Sequence, residues 1–180
     1  MYGIINQAIQ ELVTTNFGED KWIQVLKISG VKEAFFLSNE SYDDEVTYQL
    51  ARAASEVLHL SLEEVLHTFG EFWVLHTGNK KYGSLMIAGG NNLKEFIVNL
   101  PVFHDRVSLI YSNLRQPEFE VSDLEENSIQ LHYYSHRIGL TEFVRGLLFG
   151  LSKLYQTSST IELLNCRDKG HDHDVFKISW

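Results

Sequence analysis

The period of the apolar residues changes at Pro117, and that change limits the folds this chain can adopt. Up to Tyr111 apolar side chains recur three and four residues apart, as on one face of a helix. Ile5, Ala8, Ile9 and Leu12 precede Gly18, and a second stripe of Trp22, Val25 and Leu26, from about Glu19, stops at Gly30. The acidic opening Tyr42-Asp43-Asp44-Glu45 leads into Val46, Leu50, Ala53, Ala54, Val57 and Leu58. Ser61-Leu62-Glu63-Glu64 has capping-box spacing and predicts a helix carrying Val65, Leu66, Phe69, Phe72 and Trp73. Asn92-Leu93-Lys94-Glu95 is a second capping signal, and Pro101 marks a helix start near Asn99. Beyond Pro117, Phe119 and Val121 alternate with charges and Ile129 to Arg137 reads as a strand. Thr160 to Arg167 and Val175 to Trp180 read as a hairpin about Asp168-Lys169-Gly170. Between them Thr141 to Tyr155 is helical, with Gly146 and Gly150 on one face. Helices first, then four short antiparallel strands with one intervening helix, predict an α+β fold.

Length and charge narrow the function. At 180 residues the chain makes one domain or two closely packed subdomains, with a core large enough to enclose a sizeable ligand. A net charge of -9 disfavours nucleic acid and anionic membranes, which both need a basic footprint. Cys166 is the only cysteine, which fits a reducing compartment. The start lacks a signal-peptide pattern and no uncharged run reaches 18 apolar residues, so a cytoplasmic location is expected.

Two features carry chemistry. If Ile129 to Arg137 is a strand, Tyr133, Ser135 and Arg137 share a face about 6.6 Å apart. A phenol, a hydroxyl and a five-donor fork suit an acceptor-rich anion, although an ordinary solvated edge strand would read the same way. On the Asn99 helix, Leu100, Phe103, His104, Val107 and Tyr111 fall on one stripe, which puts an imidazole among apolar residues. That is either a hydrogen-bonded core histidine or a neutral ligand aimed at a metal in an apolar cavity. Haem would use the histidine, the Tyr/Ser/Arg set for its propionates, and the aromatic and glycine-lined walls. Zinc at Cys166, His171, Asp172, His173 and Asp174 fits poorly, because the spacing matches no regular finger and offers one thiolate. No phosphate loop, Ser/His/Asp motif or nucleotide fingerprint is present.

Met1-Tyr2-Gly3, Tyr42-Asp43-Asp44, Ala53 to Leu58, Asn99 to His104 and Leu131-His132-Tyr133-Tyr134-Ser135-x-Arg137-x-Gly139-Leu140 together resemble the H-NOX family of haem nitric oxide/oxygen-binding domains. The chain is also similar to the haem domain of the soluble guanylate cyclase β subunit. The resemblance spans essentially the whole sequence. It implies haem b with His104 as proximal iron ligand, and Tyr133, Ser135 and Arg137 on the propionates. It also implies that Asp44 braces the arginine, Pro117 presses on the porphyrin, and Ile5 and Leu147 pack on the macrocycle. Trp73 and Phe143 fall at distal pocket positions, with a length difference after Arg137 in some branches bearing on Phe143. Some members carry a structural zinc near the C-terminal hairpin. Here only Cys166 matches that site and Asp174 stands in place of another cysteine, so zinc is not carried over.

The expectation is a single H-NOX domain over 1–180, with a helical part at about 1–60 and a haem-cradling α+β part at about 61–180, the haem buried between them. It is a sensor and not an enzyme. It takes nitric oxide and carbon monoxide but not dioxygen, and signals in trans to a histidine kinase or a diguanylate cyclase or phosphodiesterase. Two other classes stay open: an enzyme with His104 as general base and Arg137 binding an acidic substrate, and a passive module for an anionic apolar metabolite.

Overall fold

A computed structural model describes residues 1–33, 35–111 and 115–180. The chain divides into two compact units, Met1–Phe69 and Gly70–Trp180. The first is helical: α1 (Gly3–Phe17), α2 (Glu19–Ser29), α3 (Asp44–Leu58) and most of α4 (Leu62–Phe72). Its starts are the ones the sequence marks. The Asp43 carboxylate accepts from the Glu45 amide at 2.9 Å, while Ser61 and Glu64 exchange the reciprocal bonds of a capping box. Gly18 turns the chain between α1 and α2 at φ +90°, where a side chain would be strained. The α1 and α3 stripes supply buried Ile9, Leu12 and Val13 on one side and Leu50, Ala53, Ala54 and Val57 on the other.

In the second unit, α4 runs into a π-helical stretch, Trp73–Gly78, and then α5 (Asn79–Ile87). The sequence places Trp73 on the apolar α-helical stripe, whereas it opens this wider turn. Short α6 (Leu93–Val98) and α7 (Leu100–Ser108) follow. The apolar stripe predicted as far as Tyr111 is helical only to Ser108, and residues 112–114 lie outside the described part. Strands β1 (Glu118–Ser122), β2 (Ser128–Tyr134), β3 (Thr160–Asn165) and β4 (Asp174–Ser179) form one antiparallel sheet in the order β1-β2-β4-β3, with α8 (Thr141–Leu154) between β2 and β3. On one face Ile129, Leu131, Tyr133, Phe176 and Ile178 are buried. The α+β class and the C-terminal hairpin are as expected.

β2 is shorter than expected and ends at Tyr134. β1 begins at Glu118 opposite Tyr134 and β4 at Asp174 opposite Tyr133, so neither neighbour supports pairing further on. The Arg137 amide turns instead to the Ser135 hydroxyl, 3.1 Å away. Ser135 and Arg137 thus sit in an irregular segment and not on a strand face.

Within this unit, the face shared by Gly146 and Gly150 receives the stretch from Gly70 to Val74. A Cβ at Gly70 would stand 2.6 Å from the Leu147 amide nitrogen and 2.9 Å from the Gly146 carbonyl carbon, and one at Gly150 would stand 2.8 Å from the Val74 Cβ. Backbone atoms cannot rotate aside as a side-chain tip can. Gly70→Ala is therefore expected to destabilise the protein by roughly 1–3 kcal/mol or more, read as a lower urea midpoint with unchanged slope. An unaltered midpoint would show that the helices part without cost.

Candidate functional site

His104 reaches its place through local rules. Asn99 precedes α7, its side-chain amide donating to the Gly89 carbonyl at 2.9 Å, and Pro101 sits in the first turn where a missing N–H costs nothing. The helix lies against β1: the His104 ring centroid is 4.9 Å from that of Phe119, which is 5.5 Å from Tyr133. Phe103 meets the imidazole edge-on at 5.6 Å. His104 as a residue is only half-buried, yet its Nδ1 is inaccessible and has no hydrogen-bond partner. Burial pushes its pKa down to about 4, against an opposing pull from Asp105. At neutral pH it is a neutral imidazole with a ring nitrogen unspent on protein. A buried unpaired nitrogen ordinarily costs about 1–3 kcal/mol, which distinguishes it from a satisfied core histidine.

Tyr133, Ser135 and Arg137 do come together despite the early end of β2. With Arg167, Asp174 and Thr141 they help line one small cavity of about 10 Å³. Tyr133 is buried, which raises its phenol pKa, while a hydrogen bond with Ser135 and the positive charges of Arg137 and Arg167 pull the other way. The Arg137 guanidinium donates to the Arg115 carbonyl at 2.8 Å. Gly139, at φ +76°, lets the chain turn from here towards α8.

Arg167 is the residue that sequence reasoning missed. Its guanidinium donates to the Ser135 carbonyl and, at 3.4 Å, to that of Arg137. It thereby fixes the segment that carries both polar groups. Its amide donates to Asp174 Oδ1 at 2.7 Å, and Thr141 donates to Asp174 Oδ2 at 2.8 Å. Nothing in the local sequence marks Arg167, because its partners lie 30 and 32 residues away.

The remaining expected residues are placed as follows. Trp73, Phe143, Leu147 and Pro117 are half-buried. The Trp73 indole lies along its own π-helical turn, its Nε1 3.7 Å from where a Cβ on Gly78 would be. In the first unit Ile5 is half-buried on α1, and Asp44 accepts from the Met1 amino group at 2.5 Å. Cys166 is buried beside Thr141 at 4.0 Å, and among the described residues no three His, Cys, Asp or Glu side chains form a metal-holding group.

A neutral helix-borne imidazole thus lies beside an antiparallel sheet whose β2 leads, through Tyr133, into the irregular segment that carries the Ser135 hydroxyl and the Arg137 guanidinium. The chain belongs to the haem-NO-binding (HNOB) family, whose model matches residues 2–163. Its fold is that of solved H-NOX proteins. The Fe(II)NO structure from S. oneidensis aligns with a TM-score of 0.89 at 23% identity over 99% of this chain and 98% of that one. The unliganded Fe(II) protein from K. algicida gives 0.87 at 24% identity, over 99% and 96%. In sequence it is 33% identical to soluble guanylate cyclase gcy-32 of Caenorhabditis elegans over 192 residues, 99% of this chain and 28% of that protein. Gcy-33 of the same organism is 29% identical over 182 residues, 100% of this chain and 19% of that protein. The chain therefore spans between about a fifth and just over a quarter of the length of these curated relatives. H-NOX domains bind haem and are gas-sensing domains. The orphaned, neutral His104 and the cationic end of the site at Arg137 and Arg167 fit that cofactor. No helix among the described residues is long and apolar enough to cross a membrane.

Proposed function

We propose that this chain senses nitric oxide, and also binds carbon monoxide, at a ferrous haem ligated by His104, without retaining dioxygen. The observation that carries this reading is the buried imidazole with a nitrogen unspent on protein. When bound, the haem supplies an iron that takes up a diatomic gas. The chain supplies the rest. His104 provides the anchoring nitrogen, Tyr133, Ser135 and Arg137 hold the propionates, and Pro117 and Leu147 pack on the macrocycle. Phe143 and Trp73 line the gas-binding side. Phe143 offers a ring and no donor, while the indole N–H of Trp73 lies against its own turn at Gly78. Dioxygen gains from a hydrogen-bond donor much more than nitric oxide or carbon monoxide does, so this pocket favours the latter two. Release of His104 would free the nine-residue α7 to shift and give a partner two surfaces to distinguish.

The output partner in this reading is a separate histidine kinase, or a diguanylate cyclase or phosphodiesterase. The similarity to guanylate cyclases much longer than this chain supports a second arrangement, coupling to a cyclase. Visible spectra of the ferrous protein decide the sensor reading itself. A Soret band that shifts with nitric oxide and with carbon monoxide, but not on admission of air, is expected. A protein without any Soret band would leave the enzyme or passive-module reading. A stable spectral change in air would overturn the selectivity and direct attention to Trp73, which Trp73→Phe would test.

The depressed pKa gives a second expectation. An ordinary imidazole, with a pKa near 6.5, is mostly protonated at pH 5. His104 stays neutral down to about 4, so its lone pair stays available for iron throughout that interval. Iron on the same lone pair competes with the proton and lowers the midpoint further, so the ferrous Soret band should hold its position from pH 8 down to at least about 4. A transition centred near 6.5 would show that the nitrogen on the iron is not a desolvated one.

A further inference from the structure

The opposite face of the sheet carries a hydrogen-bonded chain that gas sensing does not use. Ser122 ends β1, and its Oγ lies 2.8 Å from Nε2 of His132 on β2. The His132 Nδ1 lies 2.8 Å from Nε2 of His173, just before β4. The His173 Nδ1 faces Asp172 Oδ2 at 3.5 Å, an ion-pair rather than hydrogen-bond distance. Tyr134 stacks on the His173 ring, centroids 4.1 Å apart and planes 26° apart, and so fixes its plane. The antiparallel register sets this up: Glu120 is opposite His132, which places Ser122 diagonally across from it.

Two tautomeric arrangements satisfy these contacts, and the choice between them lies with the His173 Nδ1, which makes no hydrogen bond and faces the Asp172 carboxylate. An ionised Asp172 can only accept, so it favours a proton on the His173 Nδ1 and leaves Nε2 as an acceptor. His132 must then donate from Nδ1, which leaves its Nε2 to accept from the Ser122 hydroxyl. A hydroxyl on the acceptor nitrogen of an imidazole whose other nitrogen is held by a third group is an activated nucleophile.

We infer that Ser122 is a nucleophile towards activated acyl donors of the aryl-ester class, with His132 as its general base and His173 as the residue that positions His132. Ser122 Oγ adds to the ester carbonyl as its proton passes to His132 Nε2. The tetrahedral adduct expels the aryloxide, which takes that proton, leaving an acyl-serine and a phenol. Water hydrolyses the acyl-serine by the same proton route in reverse, giving a carboxylic acid and free Ser122. Ser122, His132 and His173 are all half-buried and Asp172 is 92% exposed, so a small ester has access.

The test treats the haem-loaded protein with p-nitrophenyl acetate and maps acetylation by peptide mass spectrometry. Exposed Ser158 serves as the internal reference. Acetylation of Ser122 should run about 100-fold or more ahead of Ser158, the lower end of what a positioned general base contributes. It should fall to the Ser158 rate in His132→Ala. His173→Phe keeps a ring to stack on Tyr134 but removes the acceptor, and should lose the advantage. His173→Glu restores an acceptor and should recover part of it, which a purely structural role would not produce. Soret intensity should stay the same in all three variants. Equal labelling of Ser122 and Ser158 in the unmodified protein would overturn the inference, as would identical rates in His173→Phe and His173→Glu.

Discussion

His104→Gly is expected to purify almost free of haem, and to recover a Soret band when imidazole is supplied during loading. The substitution removes the neutral ring and leaves a space of the same shape on α7. Losing even a group that merely orients a metal ligand typically costs 10–100-fold in affinity, so loss of the ligand itself should lower haem content by more than about tenfold. Glycine within a helix also costs about 1 kcal/mol, which His104→Ala reduces while still lacking the ring. Both variants should therefore lose haem, and only the glycine variant should be well rescued by free imidazole. Haem content and spectrum unchanged from the parent protein would remove His104 from the iron.

Much of this fold is written in short-range signals. Gly18, the Ser61/Glu64 capping box and Pro101 each act within four residues, and the structure ends or starts helices at all three. The change of period at Pro117 likewise separates helices from strands. What the sequence does not display is set by pairing partners. The end of β2 at Tyr134 depends on where β1 and β4 begin, and no pattern within Leu131 to Arg137 records that. Trp73 fits an α-helical stripe in sequence, yet the turn it opens is a π-helix, which residue spacing cannot distinguish. Of the site, His104 is legible because an imidazole on an apolar stripe is conspicuous. Arg167 is invisible because arginine beside a loop is ordinary until the fold aims it at the Ser135 carbonyl.

That long-range contact also shapes the second large effect expected here. Arg137→Ala should speed haem loss markedly, measured as transfer to a haem-scavenging apoprotein. A bidentate guanidinium–carboxylate pair that is partly buried typically costs about 2–5 kcal/mol to break from one side, which corresponds to at least about a thirtyfold faster loss. Arg167 is well placed to keep some positive charge near the propionates, but its guanidinium already donates to the Ser135 and Arg137 carbonyls. It can steady the segment more readily than it can replace the fork. The effect should therefore lie towards the lower end of that range and not vanish. Arg137→Lys keeps the charge without the planar pair of donors, so its loss rate should fall between parent and alanine variant. Arg167→Ala should accelerate loss by loosening the segment, and combined with Arg137→Ala should give less than the product of the two, since both act through one loop. Loss rates equal in the parent and Arg137→Ala would mean that the propionates are held elsewhere.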